Sequence, residues 1–189
     1  MARAALTPER LTRTAAEVAD EIGFDALTVS AVARRLGVKD PSLYAHIRNA
    51  RDLKMRVALL ALEELADRAA AALAGRAGRD ALVAFAGAYR SYAKEHPGRY
   101  TAMRFELDAD AAEDSAAPRH SALTRALLRG YGLPEPAETD AVRLLHGAFH
   151  GYVDLEIAGG FGHGPRSADA SWAWILDTLD AALRDRARE

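Results

Sequence analysis

The chain has no cysteine among its 189 residues. Disulfide frameworks, thiolate metal sites and cysteine nucleophiles are therefore excluded. Aromatic residues make up only 7%, while alanine is abundant, a balance that favours helices. No apolar run approaches the roughly 20 residues needed to span a bilayer. The N-terminus lacks the long apolar core of a signal peptide. The expectation is a soluble, cytoplasmic protein with no membrane partner. No nucleophile is spaced with a base, and no Gly-rich phosphate loop follows a strand, so an enzyme is not expected and no cofactor is implied.

Half of the residues are hydrophobic, enough for a real core, and the formal net charge of −2 is unevenly spread. Residues 1–60 hold ten Arg or Lys against seven Asp or Glu, a net of +3, and the remaining 129 carry −5. A mildly basic head on an acidic body suits a chain that meets phosphates with one end only.

The most informative segment runs from Thr28 to Leu53, TVSAVARRLGVKDPSLYAHIRNARDL. Thr28 is a good N-cap, and Val29, Val32, Ala33 and Leu36 share one apolar face at helical spacing. Gly37 follows where the helix must end, since glycine accepts a left-handed backbone. Asp40 is expected to cap a second short helix with Pro41 at its first position, where a missing N–H does no harm. Asp40 has a second, less favoured reading as an acceptor for a cytosine amine. Leu43 and Ile47 face inward, leaving Ser42, Ala45, His46 and the Tyr44 hydroxyl outward between Lys39 and Arg48. Two short helices about a tight turn, with a small polar outer face on the second, have the spacing of a helix-turn-helix that enters the DNA major groove.

This stretch resembles the DNA-binding domain of TetR-type transcriptional regulators. The resemblance rests on Thr28-Val29, Ala33 through Val38, and Ser42-Leu43-Tyr44 with His46 and Ile47, and it covers about residues 7–56. A preceding helix fits as well: Thr7 caps, Pro8 is first, and Leu11, Ala15, Val18, Ala19 and Ile22 make its stripe. The family usually carries a phosphate-contacting lysine at the place of Ala50, and here Arg51 or Lys54 would replace it. The DNA-contacting set is then Thr28, Tyr44, His46, Arg51 and Lys54, with Lys39, Pro41, Ser42 and Ala45 as the candidates for base edges.

Further along, apolar periodicity and Gly/Pro punctuation predict helices over Arg51–Leu73, Asp80–Glu95, Arg99–Leu107, Pro118–Tyr131, Thr139–Ala158 and from Ser167 to about Ala187. Residues 108–117 read as a solvated acidic loop, and GGFGHGPRS as a flexible link. About nine helices and no strand follow. The fold expectation is all-α, with a three-helix helix-turn-helix head (residues 1–50) and a helical ligand-binding and dimerisation body (residues 51–189). His150-Gly151, Leu155-Glu156 and the segment His96-Pro97-Gly98-Arg99-Tyr100 resemble a TetR subgroup with a Trp-His-Gly signature, although Leu145 and His146 stand where a tryptophan is usual. Such bodies are helical, dimerise through their last two helices and hold a small-molecule pocket.

For that pocket the candidates are Phe85, Tyr89, Tyr92, Met103, Phe105, His146, Phe149 and His150, a mixture suited to a mainly apolar ligand with one or two polar handles. His146, His150 and Asp154, spaced i, i+4, i+8, share a helix face. A metal site there is less favoured than an interface or a pocket wall, so no metal is expected. For the homodimer the candidates are Trp172, Ile175, Leu176, Leu179 and Leu183, with Val153 and Ile157 from the preceding helix. The resemblance implies a ligand-responsive regulator, a repressor that binds a pseudo-palindromic operator in double-stranded DNA as a homodimer and is released by a small molecule. Two rivals remain: a non-specific architectural DNA-binding protein, and a helical enzyme using the His146/His150 face.

Overall fold

The structure is a computed structural model that describes residues 6–162 and 164–188. His163, within the glycine-rich link, lies outside the described residues. In chain order the elements are α1 (Pro8–Ile22), α2 (Val29–Leu36), a 3-10 turn (Asp40–Ala45), α3 (Ala50–Leu73), α4 (Gly78–Glu95), α5 (Pro97–Ala102), α6 (Ala109–Glu113), α7 (Ala117–Leu128), α8 (Ala137–Ile157) and α9 (Ala168–Arg186). Among the described residues there is no strand, and the fold is all-α as the periodicity predicts. The acidic stretch expected to be a loop contains α6, and the helix expected over Arg99–Leu107 instead occupies Pro97–Ala102.

The chain divides into two compact units, Met1–Glu64 with Glu95–Ala116, and Leu65–Lys94 with Ala117–Glu189. The first compact unit thus runs past the expected boundary at residue 50, through Glu64, and takes in Glu95–Ala116. Leu53, Val57 and Ala58 of α3 and Ala102 of α5 are buried in one core with Leu11, Ala15, Ala19, Val32, Leu43 and Ile47. The head cannot close its core with three helices alone and recruits half of α3 as well as α5.

Caps fix the head helices. The Thr7 hydroxyl accepts from Arg10 N at 3.2 Å, and the Thr28 hydroxyl accepts from Ala31 N at 3.1 Å. Asn49 Oδ1 accepts from Asp52 N at 2.9 Å while Asp52 Oδ2 accepts from Arg48 N at 2.9 Å, a reciprocal arrangement that starts α3. Asp20 on α1 does the same for α5 from a distance, its Oδ1 accepting from Arg99 N at 2.9 Å. The Arg99 guanidinium lies between Asp20 and Glu64, with Nε 3.1 Å from Asp20 Oδ2 and an Nη 3.1 Å from Glu64. The Nε contact is one of charge, without hydrogen-bond alignment.

In the second unit Phe85, Ala86, Tyr89 and Tyr92 of α4 are buried with Leu145, Phe149 and Val153 of α8 and Leu176 and Leu183 of α9. Arg90 locks α4 to α8 through a paired contact with Glu156, at 2.7 and 2.5 Å. The Tyr131 hydroxyl donates to buried Asp180 on α9 at 2.8 Å.

Candidate nucleic-acid interface and body cluster

Gly37 adopts the left-handed conformation (φ 66°, ψ 34°), and its amide closes α2 on Ala33 and Arg34. Val38 N then donates to Ala33 O at 3.0 Å, which turns the chain sharply into the next element. That element is a short 3-10 helix of six residues. Proline at its second residue supplies no amide, and only six residues separate Lys39 from His46. Leu43 and Ile47 are buried and anchor the turn to the head core. Lys39, Pro41, Ser42, Tyr44 and Ala45 are exposed and His46 is half-buried, with Tyr44 exposing 54% of its surface. Thr28 is exposed at the start of α2. The residues expected to meet DNA and those expected to fill the core thus separate onto opposite sides.

One expectation about this end is corrected, and two further candidates have partners inside the head. Asp40 is the first residue of the turn rather than its cap, and its Oδ2 accepts from the Ser30 hydroxyl instead of from backbone amides. Arg51 is committed within the head: it donates to Glu106 O at 3.0 Å, pairs with Asp108 at 2.9 Å and lies over the Phe105 ring. Lys54 donates to Asp25 O at 3.1 Å and sits over the Phe24 ring. Both long cations spend their charge on partners that the sequence pattern does not display.

Asp52 is a participant that the sequence reading missed. Burial pushes its carboxyl up, but the Arg48 amide and the Arg56 and Arg48 guanidiniums outweigh burial and hold it below the ordinary value. The signal was available, since Asn49 followed three residues later by Asp52 is a capping pattern.

In the second unit the expected polar–aromatic set gathers around Tyr89. Its ring lies 5.0 Å from Phe85, 6.2 Å from Phe149, 6.5 Å from His146 and 5.7 Å from His150, centroid to centroid. A further histidine, His120 of α7, joins them, with Nδ1 2.7 Å from the Tyr89 hydroxyl. The Thr124 hydroxyl donates to His120 O at 3.0 Å, so its oxygen accepts from His146 Nε2 at 2.9 Å. This assigns the Nε2–H tautomer to His146. Burial pushes the Tyr89 phenol up and His146 down, the latter helped by His120. Tyr92 is buried nearby in sequence with Arg68 over its ring.

Met103 and Phe105 are corrected, for both belong to the first unit. The Phe105 ring meets Phe24 edge-on at 5.7 Å. The dimer stripe is corrected as well. Val153, Trp172, Leu176, Leu179 and Leu183 are all buried within the protomer, leaving Ile157 exposed and Ile175 partly so. Among the described residues no group of three His, Cys, Asp or Glu side chains is placed to hold a metal, and no helix is long and apolar enough to cross a membrane. An open groove of about 460 Å³ runs between α4 and α9, floored by Val83, Gly87 and Leu176 and flanked by Arg79 and Lys94.

Comparison with known proteins finds relatives for both the N-terminal and the C-terminal part of the chain. A family model described as bacterial regulatory proteins, tetR family, matches residues 11–53. A second, described as tetracyclin repressor-like, C-terminal domain, matches residues 82–179. An uncharacterized HTH-type transcriptional regulator of Mycobacterium tuberculosis is 40% identical over 158 residues, 82% of this chain and 72% of that protein. The class A tetracycline repressor of Escherichia coli is 46% identical over 48 residues, 25% of this chain and 22% of the repressor. A TetR variant from Acinetobacter baumannii in complex with minocycline superimposes with a TM-score of 0.71 at 23% identity, over 98% of this chain and 99% of that one. The chain belongs to the TetR family of DNA-binding transcriptional regulators, with a helix-turn-helix head and a tetracycline-repressor-like helical body.

Proposed function

We propose that the protein is a homodimeric repressor that binds a pseudo-palindromic operator and is released by a mainly apolar small molecule. The observation that carries the operator reading is the two-sided 3-10 turn: Leu43 is fully buried while Tyr44, its neighbour, is 54% exposed. The exposure of Lys39, Pro41, Ser42 and Ala45 supports their role at base edges, and that of Tyr44 and Thr28, with half-buried His46, supports phosphate contacts. Two such heads would occupy successive major grooves, about 34–36 Å apart.

Dimerisation through α8 and α9 is supported by a different set of residues from the periodic stripe. Leu144, Leu155, Ile157 and Trp174 are large, apolar and exposed. Gly147 and Gly151 lie on the same side of α8, and a Cβ on either would meet nothing within 4 Å. Nothing inside the protomer requires glycine there, whereas a second helix approaching closely does.

The effector is proposed to enter the cluster formed by Phe85, Tyr89, His120, His146, Phe149 and His150. Its rings offer apolar area, and neutral His146 offers an acceptor nitrogen at Nδ1. The minocycline-bound relative of the same fold supports a small-molecule effector in general, without naming this one.

Sequencing the DNA that the purified protein retains from random genomic fragments, at one fixed salt concentration, tests the reading. Recovery of an inverted repeat with half-sites about one helical turn apart is expected. Retained fragments with no shared motif would instead point to a non-specific architectural protein.

A further inference from the structure

Asp40 is held in one place by a residue that has no other evident task. Ser30 lies in the first turn of α2, whose start is fixed by the Thr28 cap. Its hydroxyl donates to Asp40 Oδ2, tying the two helical elements of the motif together across ten residues. The three ordinary uses of a carboxylate at this position fail here. It caps no amide of the turn. It forms no ion pair among the described residues, and the neighbouring Arg48 pairs with Asp52 instead. It cannot serve as a phosphate contact, because like charges repel. What remains is a half-exposed acceptor with a free oxygen, beside exposed Lys39, Pro41 and Ser42.

We infer that Asp40 determines one position of the operator by accepting a hydrogen bond from a base amine in the major groove, and that Ser30 is the residue that aims it. This rests on the operator-binding reading. A carboxylate only accepts, and the major groove offers two donors, the N4 amine of cytosine and the N6 amine of adenine. Adenine presents its N7 acceptor next to that amine, which repels a second acceptor. Cytosine carries no such neighbour on its own edge, so cytosine is the base selected. The Ser30 hydroxyl removes the rotational freedom of the carboxylate and takes up one oxygen, leaving Oδ1 for the base.

The chemistry predicts a switch, not only a loss. Asp40→Asn keeps the shape, but its amide oxygen goes to the Ser30 hydroxyl and its Nδ2 donor faces the base, which suits the O4 acceptor that thymine carries in place of the cytosine amine. Binding-site selection on the full-length protein is expected to show cytosine at one position of each half-site. In Asp40→Asn that position shifts toward thymine, with discrimination against cytosine of roughly tenfold. Ser30→Ala is expected to keep the cytosine but blur its preference several-fold, with an unchanged melting temperature. An Asp40→Asn profile identical at every position to that of the wild type overturns the inference. So does loss of binding to all sequences with a lowered melting temperature, which would make the pair a strut. A wild type that selects no motif would remove the operator reading first and this inference with it.

Discussion

Gly98 lies so close to Ala19 that a Cβ built on it would sit 2.0 Å from the Ala19 carbonyl oxygen and 2.5 Å from Asp20 N. The contact is backbone to backbone, between α5 and α1, and neither side can rotate away. Gly98→Ala is therefore expected to force the helices apart and destabilise the head by about 3 kcal/mol. For a chain of this size that corresponds to a fall in melting temperature of roughly 10 °C. A variant that melts with the wild type would mean that α5 does not pack on α1.

Lys39 and Tyr44 are exposed on the same turn but differ in what they can read. A phenol on a phosphate contributes one neutral hydrogen bond, about 1 kcal/mol, so Tyr44→Phe should weaken binding roughly fivefold on every sequence. Lys39→Ala should weaken binding and also alter base preference, since lysine can donate to guanine O6 or N7. Parallel binding-site selections distinguish them. An unaltered selection profile for Lys39→Ala would remove Lys39 from the base-reading set.

Local signals were legible in the sequence and tertiary partners were not. The Thr28 cap, the Gly37 turn and the inward Leu43 and Ile47 follow from rules that act within a few residues. Asp40 before Pro41 obeys the same local rule and is misread by it, because its partner Ser30 belongs to another helix. The apolar stripe on α9 was visible, but periodicity cannot say whether Trp172 and Leu176 meet their own α4 and α8 or a second copy. Trp174, two residues away and 61% exposed, stands on the other face. The tie between Asp20 and Arg99 spans 79 residues and leaves no sequence pattern. Proximity along the chain groups Met103 and Phe105 with the body aromatics, whereas α5 carries them into the head unit.

Acid should loosen the body through His146. Burial, and then the neighbouring His120, lower its affinity for a proton in the folded state. The unfolded chain takes up that proton near pH 6.5, before the folded protein does. The stabilising contribution is therefore complete above about pH 6.5 and is lost as pH falls through the lower folded value. Melting temperatures measured from pH 8 down to pH 5.5 should decline below that point. His146→Gln, whose amide can still donate to Thr124, should flatten the decline. A slope identical in the two proteins would assign the acid sensitivity to other groups.

The dimer face can be tested with a substitution that should help the protomer. Gly147 is in the interior of α8, and a side chain there meets nothing within 4 Å. Gly147→Leu should raise protomer stability by up to about 1 kcal/mol, because leucine is the better helix former. If a partner helix packs against Gly147, the same change inserts a bulky side chain into the closest approach and weakens the dimer. Trp174→Glu should do the same by placing a charge in an apolar interface. Sedimentation velocity at micromolar concentration should show monomers for both variants, with the wild type dimeric. Binding to a full pseudo-palindrome should then fall at least tenfold, while binding to an isolated half-site is unchanged. Persistent dimers in both variants would move the interface away from this face of α8 and α9.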